Sequence, residues 1–288
     1  MGALARRLGL YARLTRLDRP IGIYLLLWPT LDALWVASRG WPGWERLSIF
    51  CAGTVLMRSA GCAVNDVADR RFDRHVERTA GRVLAQDLLP AWEALAVGAA
   101  LAGVAALLLP LLRAEVFPLA LAAVAISASY PYFKRFFPMP QAYLGIAFSF
   151  GIPMAFAEVG AAVPALGWWL FAANLFWVVA YDTEYAMVDR RDDLRIGVRS
   201  SAILFGRADV AAVALCYGAY LAMVAWLGYR EGLGWPFVLG WLAALALALR
   251  HLAWIRGRDP ARCLRAFLDN HWLGLALFAG FAAGYAWR

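Results

Sequence analysis

Nine stretches of this chain are too long and too apolar to be left in water. They lie near 20–37, 47–64, 94–112, 116–133, 142–157, 163–181, 210–229, 233–249 and 272–287. A helix needs about 20 largely apolar residues to cross the hydrocarbon core of a bilayer. Inside that core, a backbone satisfies its own hydrogen bonds only as a helix or a closed barrel. The stretches at 142–157 and 272–287 are short and must borrow from their flanks. Hydrophobic residues make up 63% of the 288 positions and charged residues 17%, which excludes a water-soluble enzyme, a disordered chain, a fibre and a disulfide scaffold. The expected fold is an all-α integral membrane bundle of nine transmembrane helices. Arg58, inside the second stretch, must face protein or water rather than lipid.

The formal charge of +8 is explained by its distribution. Alternate connections (the N-terminal tail, 65–93, 134–141, 182–209 and 250–271) carry 22 Lys and Arg, against five on the opposite side. Positive charge marks the cytoplasmic face, so the N-terminus and the three long charged connections are expected there, with the C-terminus outside. The basic N-terminal residues precede a stretch too long for a signal peptide, which reads as an uncleaved first span. The surplus is a topology signal and calls for no nucleic-acid partner. Without a Gly/Ser linker or a shift in composition, residues 1–288 are expected to form a single domain. Cys51, Cys62, Cys216 and Cys263 lack paired spacing and read as small core residues. His75, His251 and His271 lack metal-ligand spacing and read as loop or capping residues.

Acidic residues number only 20, and nine of them fall in two clusters, Asn65–Glu77 (NDVADRRFDRHVE) and Tyr181–Asp193 (YDTEYAMVDRRDD). Each contains D-R-R-x-D at the cytoplasmic end of a span. On a helix, residues four apart share a face, so Asp69 pairs with Asp73, with Asn65 one turn earlier. Asp189 pairs with Asp193, with Tyr185 and Asp182 continuing that face toward the membrane. Such pairs repel unless a cation compensates. Two facing carboxylate pairs, rich in oxygen and without nearby His or Cys, suit Mg²⁺, which completes its shell with water and substrate phosphate. The plainer alternative is a pair of charged loops whose arginines only set topology; the matched motifs argue against it.

At these motifs the chain resembles the UbiA superfamily of intramembrane aromatic prenyltransferases. NDVADRRFD fits the family's N-D-x-x-D-x-x-x-D. YDTEYAMVDRRDDLRIGVRSSAILFG is similar to its second aspartate motif, in the form of the bacterial branch acting on 4-hydroxybenzoate. The likeness extends through 16–37, 57–73 and 130–136. It implies a UbiA-type bundle of nine helices around a central cavity opening to the cytoplasm and sideways to lipid, in a bacterial inner membrane. It also implies Mg²⁺-dependent transfer of a long polyprenyl group from polyprenyl diphosphate to 4-hydroxybenzoate. The new bond forms at the ring carbon ortho to the hydroxyl, giving 3-polyprenyl-4-hydroxybenzoate for ubiquinone biosynthesis, with no obligatory protein partner. Asn65, Asp69 and Asp73 would serve one metal, Asp189 and Asp193 the other. Two positions depart from the family: Val83, where Pro is usual, would loosen the loop over the site, and Glu184, where Gln is expected, would add a carboxylate near the metals.

In this chemistry the developing charge on diphosphate must be stabilised and the allylic cation kept from water. The base for the ring proton is Asp189 or a neighbouring carboxylate. Lys134 is a candidate for diphosphate, and Arg135 or Arg70 for the acceptor carboxylate, against a purely topological role. Arg16 and Arg58 are further phosphate candidates, and Asp182 and Tyr185 line the substrate face. The 14 Trp and 16 Phe suit either a prenyl tunnel or interfacial belts. FLDNHW (267–272) resembles a family stretch before the last span and is given no catalytic role. Three alternatives are a family enzyme with another aromatic acceptor, a CDP-alcohol phosphotransferase and an ion-coupled transporter. The second lacks its D-G-x-x-A-R element here, and the third predicts acids at midspan rather than at span ends.

Overall fold

The computed structural model describes residues 2–133 and 135–288; Lys134 lies outside the described residues. Among those residues there are twelve α-helices and no strand. In chain order they are α1 (Ala3–Leu14), α2 (Ile21–Ser38), α3 (Trp44–Asp73), α4 (Ala91–Ala106), α5 (Val116–Phe133) and α6 (Pro140–Ser149). Then come α7 (Gly151–Gly160), α8 (Ala165–Ile196), α9 (Ser201–Phe205), α10 (Asp209–Arg230), α11 (Trp235–Ile255) and α12 (Pro260–Trp287). Among the described residues, seven segments are long and apolar enough to cross a membrane by length and composition. The short 142–157 stretch extends to Pro140–Gly160, with a break at Phe150 between α6 and α7.

α8, at 32 residues, is about 48 Å long at 1.5 Å per residue. It outruns the hydrocarbon core, so its last turns project as a charged spoke. It packs on α10, α6 and α12, while α12 packs on α11 and α2, and α3 packs on α4 and α2. The main core joins α2, α7, α8, α10, α11 and α12 around Trp177, Tyr181, Tyr220 and Phe281. A smaller core of Leu14, Ala63, Val83, Leu84, Leu89 and Ala94 ties α1 and the 74–90 connection to α3 and α4. Val83 therefore does not loosen that loop: it is 1% exposed and anchors it.

The charged stretches are more helical than their composition suggests. Of 250–271 only residues 256–259 leave the helix, because Asp259 caps α12 by accepting from the Arg262 N–H at 2.9 Å. Asp259-Pro260 is the N-cap and first-turn pair that starts helices. FLDNHW consequently lies inside α12 rather than before it. His251 is not a loop or capping residue either: it is buried on α11, with Nε2 2.8 Å from Asp269 Oδ2. His271 also sits within a helix, its ring 5.7 Å from that of Tyr24. His75 does lie at a helix end, its Nδ1 2.9 Å from the Arg71 carbonyl oxygen. Cys62 and Cys263 are buried, Cys51 and Cys216 half-buried, and all four are free thiols.

α11 and α12 meet backbone to backbone. A Cβ on Gly240 would lie 2.5 Å from the Ala276 carbonyl oxygen and 2.6 Å from Gly280 Cα. Small residues permit this approach in membranes, where dispersion replaces the hydrophobic drive. Gly240→Ala is expected to push the helices apart and to cost about 1–3 kcal/mol, read as a lower thermal unfolding midpoint in detergent. Gly218→Ala, where an added Cβ meets nothing within 4 Å, should leave the midpoint unchanged or raised.

Candidate active site

One face of α3 and one face of α8 supply the acids, and the 74–90 connection supplies the cations between them. On α3 the buried acids are Asp66, Asp69 and Asp73. Their spacing of three and then four residues keeps them on one stripe. Asp66, absent from the residues singled out by sequence, is 1% exposed. Its signal was in the same motif: positions 66, 69 and 73 follow a helical stripe as well as 65, 69 and 73 do. Arg16 Nη2 donates to both Asp66 oxygens at 2.8 and 2.9 Å, and Arg82 Nη1 donates to Asp66 Oδ1 at 3.2 Å and Asp73 Oδ2 at 2.9 Å.

Arg78 reaches the other helix. Its Nε donates to Asp189 Oδ1 at 2.9 Å and Oδ2 at 3.2 Å, its Nη1 donates to the Tyr185 hydroxyl, and its guanidinium lies 4.0 Å from the Tyr185 ring centre. The Glu77 N–H adds a bond to Asp192 Oδ2 at 3.0 Å, and Thr79 Oγ1 donates to the Asp73 carbonyl oxygen at 2.9 Å. The two D-R-R-x-D ends are thus brought to opposite sides of a single connection. Burial opposes the charge on Arg82, but Asp66 and Asp73 outweigh it and hold its pKa raised. Burial likewise opposes the charge on Arg78, where Tyr185 and Asp189 prevail. Both guanidiniums are therefore cations at any physiological pH.

Deeper in the bundle, Arg58 of α3 lies within electrostatic reach of Asp182, Tyr130 and Tyr181. Its Nε is buried with no hydrogen-bond partner among the described residues, and its guanidinium stands 5.4 Å from the Phe148 ring centre. Gly22 of α2 makes room for it: a Cβ there would lie 2.5 Å from Arg58 Nε. Asp182 is 8% exposed, and Asn65, Asp189 and Asp193 are half-buried. The anion candidates on the rim are differently engaged. Arg70 and Arg74 pair with Asp87 at 3.0 and 2.6 Å on an exposed surface. Arg135 is exposed, donating to the Ala68 carbonyl oxygen at 3.2 Å and lying 5.3 Å from the Phe72 ring centre.

Glu184 is not a carboxylate near this cluster. It is fully buried on the other side of α8, accepting from Tyr217 at 3.0 Å and from Asn270 Nδ2 at 2.9 Å. Asn270 Oδ1 in turn accepts from Trp177 and Tyr217, each at 2.9 Å. At 100° per residue, position 184 lies roughly 200° around the helix from position 182, which accounts for the separation.

The donor set is carboxylate and amide oxygen, the chemistry that hard divalent cations take. Among the described residues no three His, Cys, Asp or Glu side chains converge tightly enough to form a metal cluster unaided. Arginines carry the compensating charge in this arrangement. The oxygen donors of Asn65, Asp69, Asp73, Asp189 and Asp193 fit Mg²⁺ in chemical type.

Residues 26–281 match the sequence profile of the UbiA prenyltransferase family. The chain belongs to the UbiA prenyltransferase family. It is 58% identical over 286 residues to a 4-hydroxybenzoate octaprenyltransferase of Cupriavidus necator, covering 99% of this chain and 100% of that protein. The enzyme of that name from Burkholderia vietnamiensis is 57% identical, covering 97% and 96%. Among solved structures, the apo UbiA homologue from Aeropyrum pernix K1 superposes with a TM-score of 0.78 at 26% identity, covering 91% of this chain and 97% of that one. The Archaeoglobus fulgidus UbiA homologue bound to GPP and Mg²⁺ superposes with a TM-score of 0.70 at 17% identity, covering 96% and 99%. This chain is an integral membrane protein with the UbiA fold.

The arginine bridges predict how this UbiA site is held shut. Asp66→Ala leaves Arg16 without its carboxylate and Arg82 with Asp73 alone, costing about 3–5 kcal/mol, as for other broken buried pairs. Faster tryptic cleavage after Arg78 and Arg82 is the expected readout. Asp87→Ala, which breaks only exposed pairs worth about 0–1 kcal/mol, should leave the cleavage rate near that of the wild type.

Proposed function

We propose that this UbiA-family enzyme transfers a long polyprenyl group from polyprenyl diphosphate to the carbon ortho to the hydroxyl of 4-hydroxybenzoate, in ubiquinone biosynthesis. The observation that carries the proposal is the pair of carboxylate faces joined through Arg78 and Arg82, with one more cation, the half-buried Arg58, behind them. That arrangement offers a place for a diphosphate at the rim and a place for a small anionic acceptor inside. The name shared by relatives 56–58% identical over nearly the whole chain supports the acceptor and makes octaprenyl the donor length to assay first.

Asn65, Asp69 and Asp73 on one side, and Asp189 and Asp193 on the other, would hold Mg²⁺; when bound, it supplies positive charge that stabilises the departing diphosphate. Arg78 and Arg82 stand beside these carboxylates and need only side-chain movement to face diphosphate oxygens. Lys134 is kept as a diphosphate ligand on sequence grounds. As the allylic carbon–oxygen bond breaks, the buried ring of Tyr181 and the half-buried rings of Tyr130 and Tyr185 exclude water and face the cationic carbon. The phenol ring carbon forms the new carbon–carbon bond, and the displaced ring proton passes to Asp182. That carboxylate is buried and has no hydrogen-bond partner among the described residues. Arg58 binds the acceptor carboxylate: the residue is half-buried and its buried Nε is an unused donor among the described residues, whereas Arg70 is occupied by Asp87 and Arg135 is exposed. A bidentate guanidinium–carboxylate pair also fixes the ring's orientation.

The same proposal takes residues 1–288 as one domain with nine spans, counting α8 and α12 alongside the seven most apolar segments. The N-terminus faces the cytoplasm, the C-terminus faces outward, and the acidic rim opens to the cytoplasm of a bacterial inner membrane. Polyprenyl diphosphate enters from lipid and 4-hydroxybenzoate from water.

Purified protein in detergent should form 3-polyprenyl-4-hydroxybenzoate only with Mg²⁺, and chelation should abolish turnover reversibly. Asp69→Ala and Asp189→Ala should each lower kcat by about 10²–10³-fold, the scale of a lost charge-stabilising group; retained activity would refute the two-sided site. Arg58→Ala is expected to raise KM for 4-hydroxybenzoate while barely changing the slow reaction with phenol, which has no carboxylate. Equal losses with both acceptors would remove Arg58 from the acceptor site.

A further inference from the structure

Away from the acidic rim, the turn between α11 and α12 gathers cations that this reaction does not use. Between residues 250 and 265 stand Arg250, Arg256, Arg258, Arg262 and Arg265, against Asp259 alone. Arg258 is taken up by Asp209 at 2.7 Å and Arg250 by Asp269. Among the described residues Arg256, Arg262 and Arg265 make no ion pair. The guanidiniums of Arg265 and Arg250 lie 4.4 and 5.0 Å from the ring centre of Trp254. Stacking of this kind pre-orients both groups with donors still available.

Two adjoining shallow depressions, open to the surroundings, lie beside them. One, of about 340 Å³, is lined by Ala261, Leu264, Arg265, Leu268, Asp269 and His271. The other, of about 570 Å³, runs along the outer faces of α11 and α12 past Leu247, Arg250, Trp272, Leu275 and Ala279. Asp269 borders both, but Arg250 already compensates its charge, and His251 Nε2 lies 2.8 Å from its Oδ2. The depth of the pair in the membrane follows from length. α12 has 28 residues, about 42 Å of helix, against about 30 Å of hydrocarbon. Its first two turns, which include Arg265, therefore stand among headgroups, and the groove past Leu275 and Ala279 descends among acyl chains. An anionic head followed by an apolar tail matches that order.

We infer that this surface is a binding site for an anionic phospholipid, with the phosphate on Arg265, whose charge has no ion-pair partner among the described residues, and an acyl chain in the groove along α11 and α12. Free phosphate would meet only the upper half of the site, and a zwitterionic lipid would lose the charge match. The site shares no residue with the acidic rim, so lipid occupancy and catalysis are separable.

Native mass spectrometry of the purified full-length protein, titrated with dioleoylphosphatidylglycerol or dioleoylphosphatidylcholine, tests this. The wild type is expected to bind the glycerol lipid in preference. Arg265→Gln should weaken that binding about fivefold, the scale of one basic contact to an anionic headgroup. Ala279→Phe, an exposed change that fills the groove, should weaken it comparably, and millimolar inorganic phosphate should not displace the lipid. Both variants should retain the wild-type thermal midpoint and Mg²⁺-dependent turnover in detergent. Equal binding of the two lipids, wild-type binding by either variant, displacement by phosphate, or loss of the site on formation of a protein dimer would overturn the assignment.

Discussion

The structure depends on guanidinium–carboxylate pairing at the end of an apolar bundle. Five acids stand at 1–13% side-chain or residue exposure where α3 and α8 leave the membrane: Asp66, Asp69, Asp73, Asp182 and Asp189. Each buried ion costs several kcal/mol in lost hydration, which a partner must offset. Arg82 answers Asp66 and Asp73 together, and Arg78 answers Asp189. These bonds decide where the 74–90 connection lies, and through it how the two acidic faces are set against each other. A site arranged in this way meets much of its acidic charge from within the chain.

α8 separates two polar systems that must not mix. One face carries Asp182, Tyr185 and Asp189 toward the rim. The opposite face carries Glu184 into a closed hydrogen-bond network with Tyr217, Asn270, Trp177 and His251. Buried polar groups satisfied in this way rigidify a bundle, and here they lock α8 to α10, α11 and α12. The acidic rim is built against a wall that is already held, so its side chains can reorganise while the helix beneath them stays fixed. Gly240, Gly280 and Gly284 serve the same wall by letting α11 and α12 approach closely.

Much of this was legible residue by residue. The apolar stretches became helices, and the two D-R-R-x-D motifs ended on one side of the bundle because helical periodicity and charge asymmetry are local properties. Asp66 was legible too, since it shares the helical stripe of Asp69 and Asp73. Asp259-Pro260 announced the start of α12, so the 250–271 segment could have been read as mostly helix. Even the direction of Glu184 follows from its two-residue offset from Asp182.

What the sequence by itself determined is the membrane bundle and the two carboxylate faces with their family. These follow from periodicity and hydration cost, which act over one or two helical turns. Only the tertiary structure decided that Arg78 meets Asp189 across 111 residues of separation, that Arg70 turns out to Asp87, and that Arg58 keeps a buried Nε to spare. Such pairings depend on where a connection returns after crossing the bundle. In a chain whose basic residues are nearly all arginine, residue type alone cannot distinguish one partner from another.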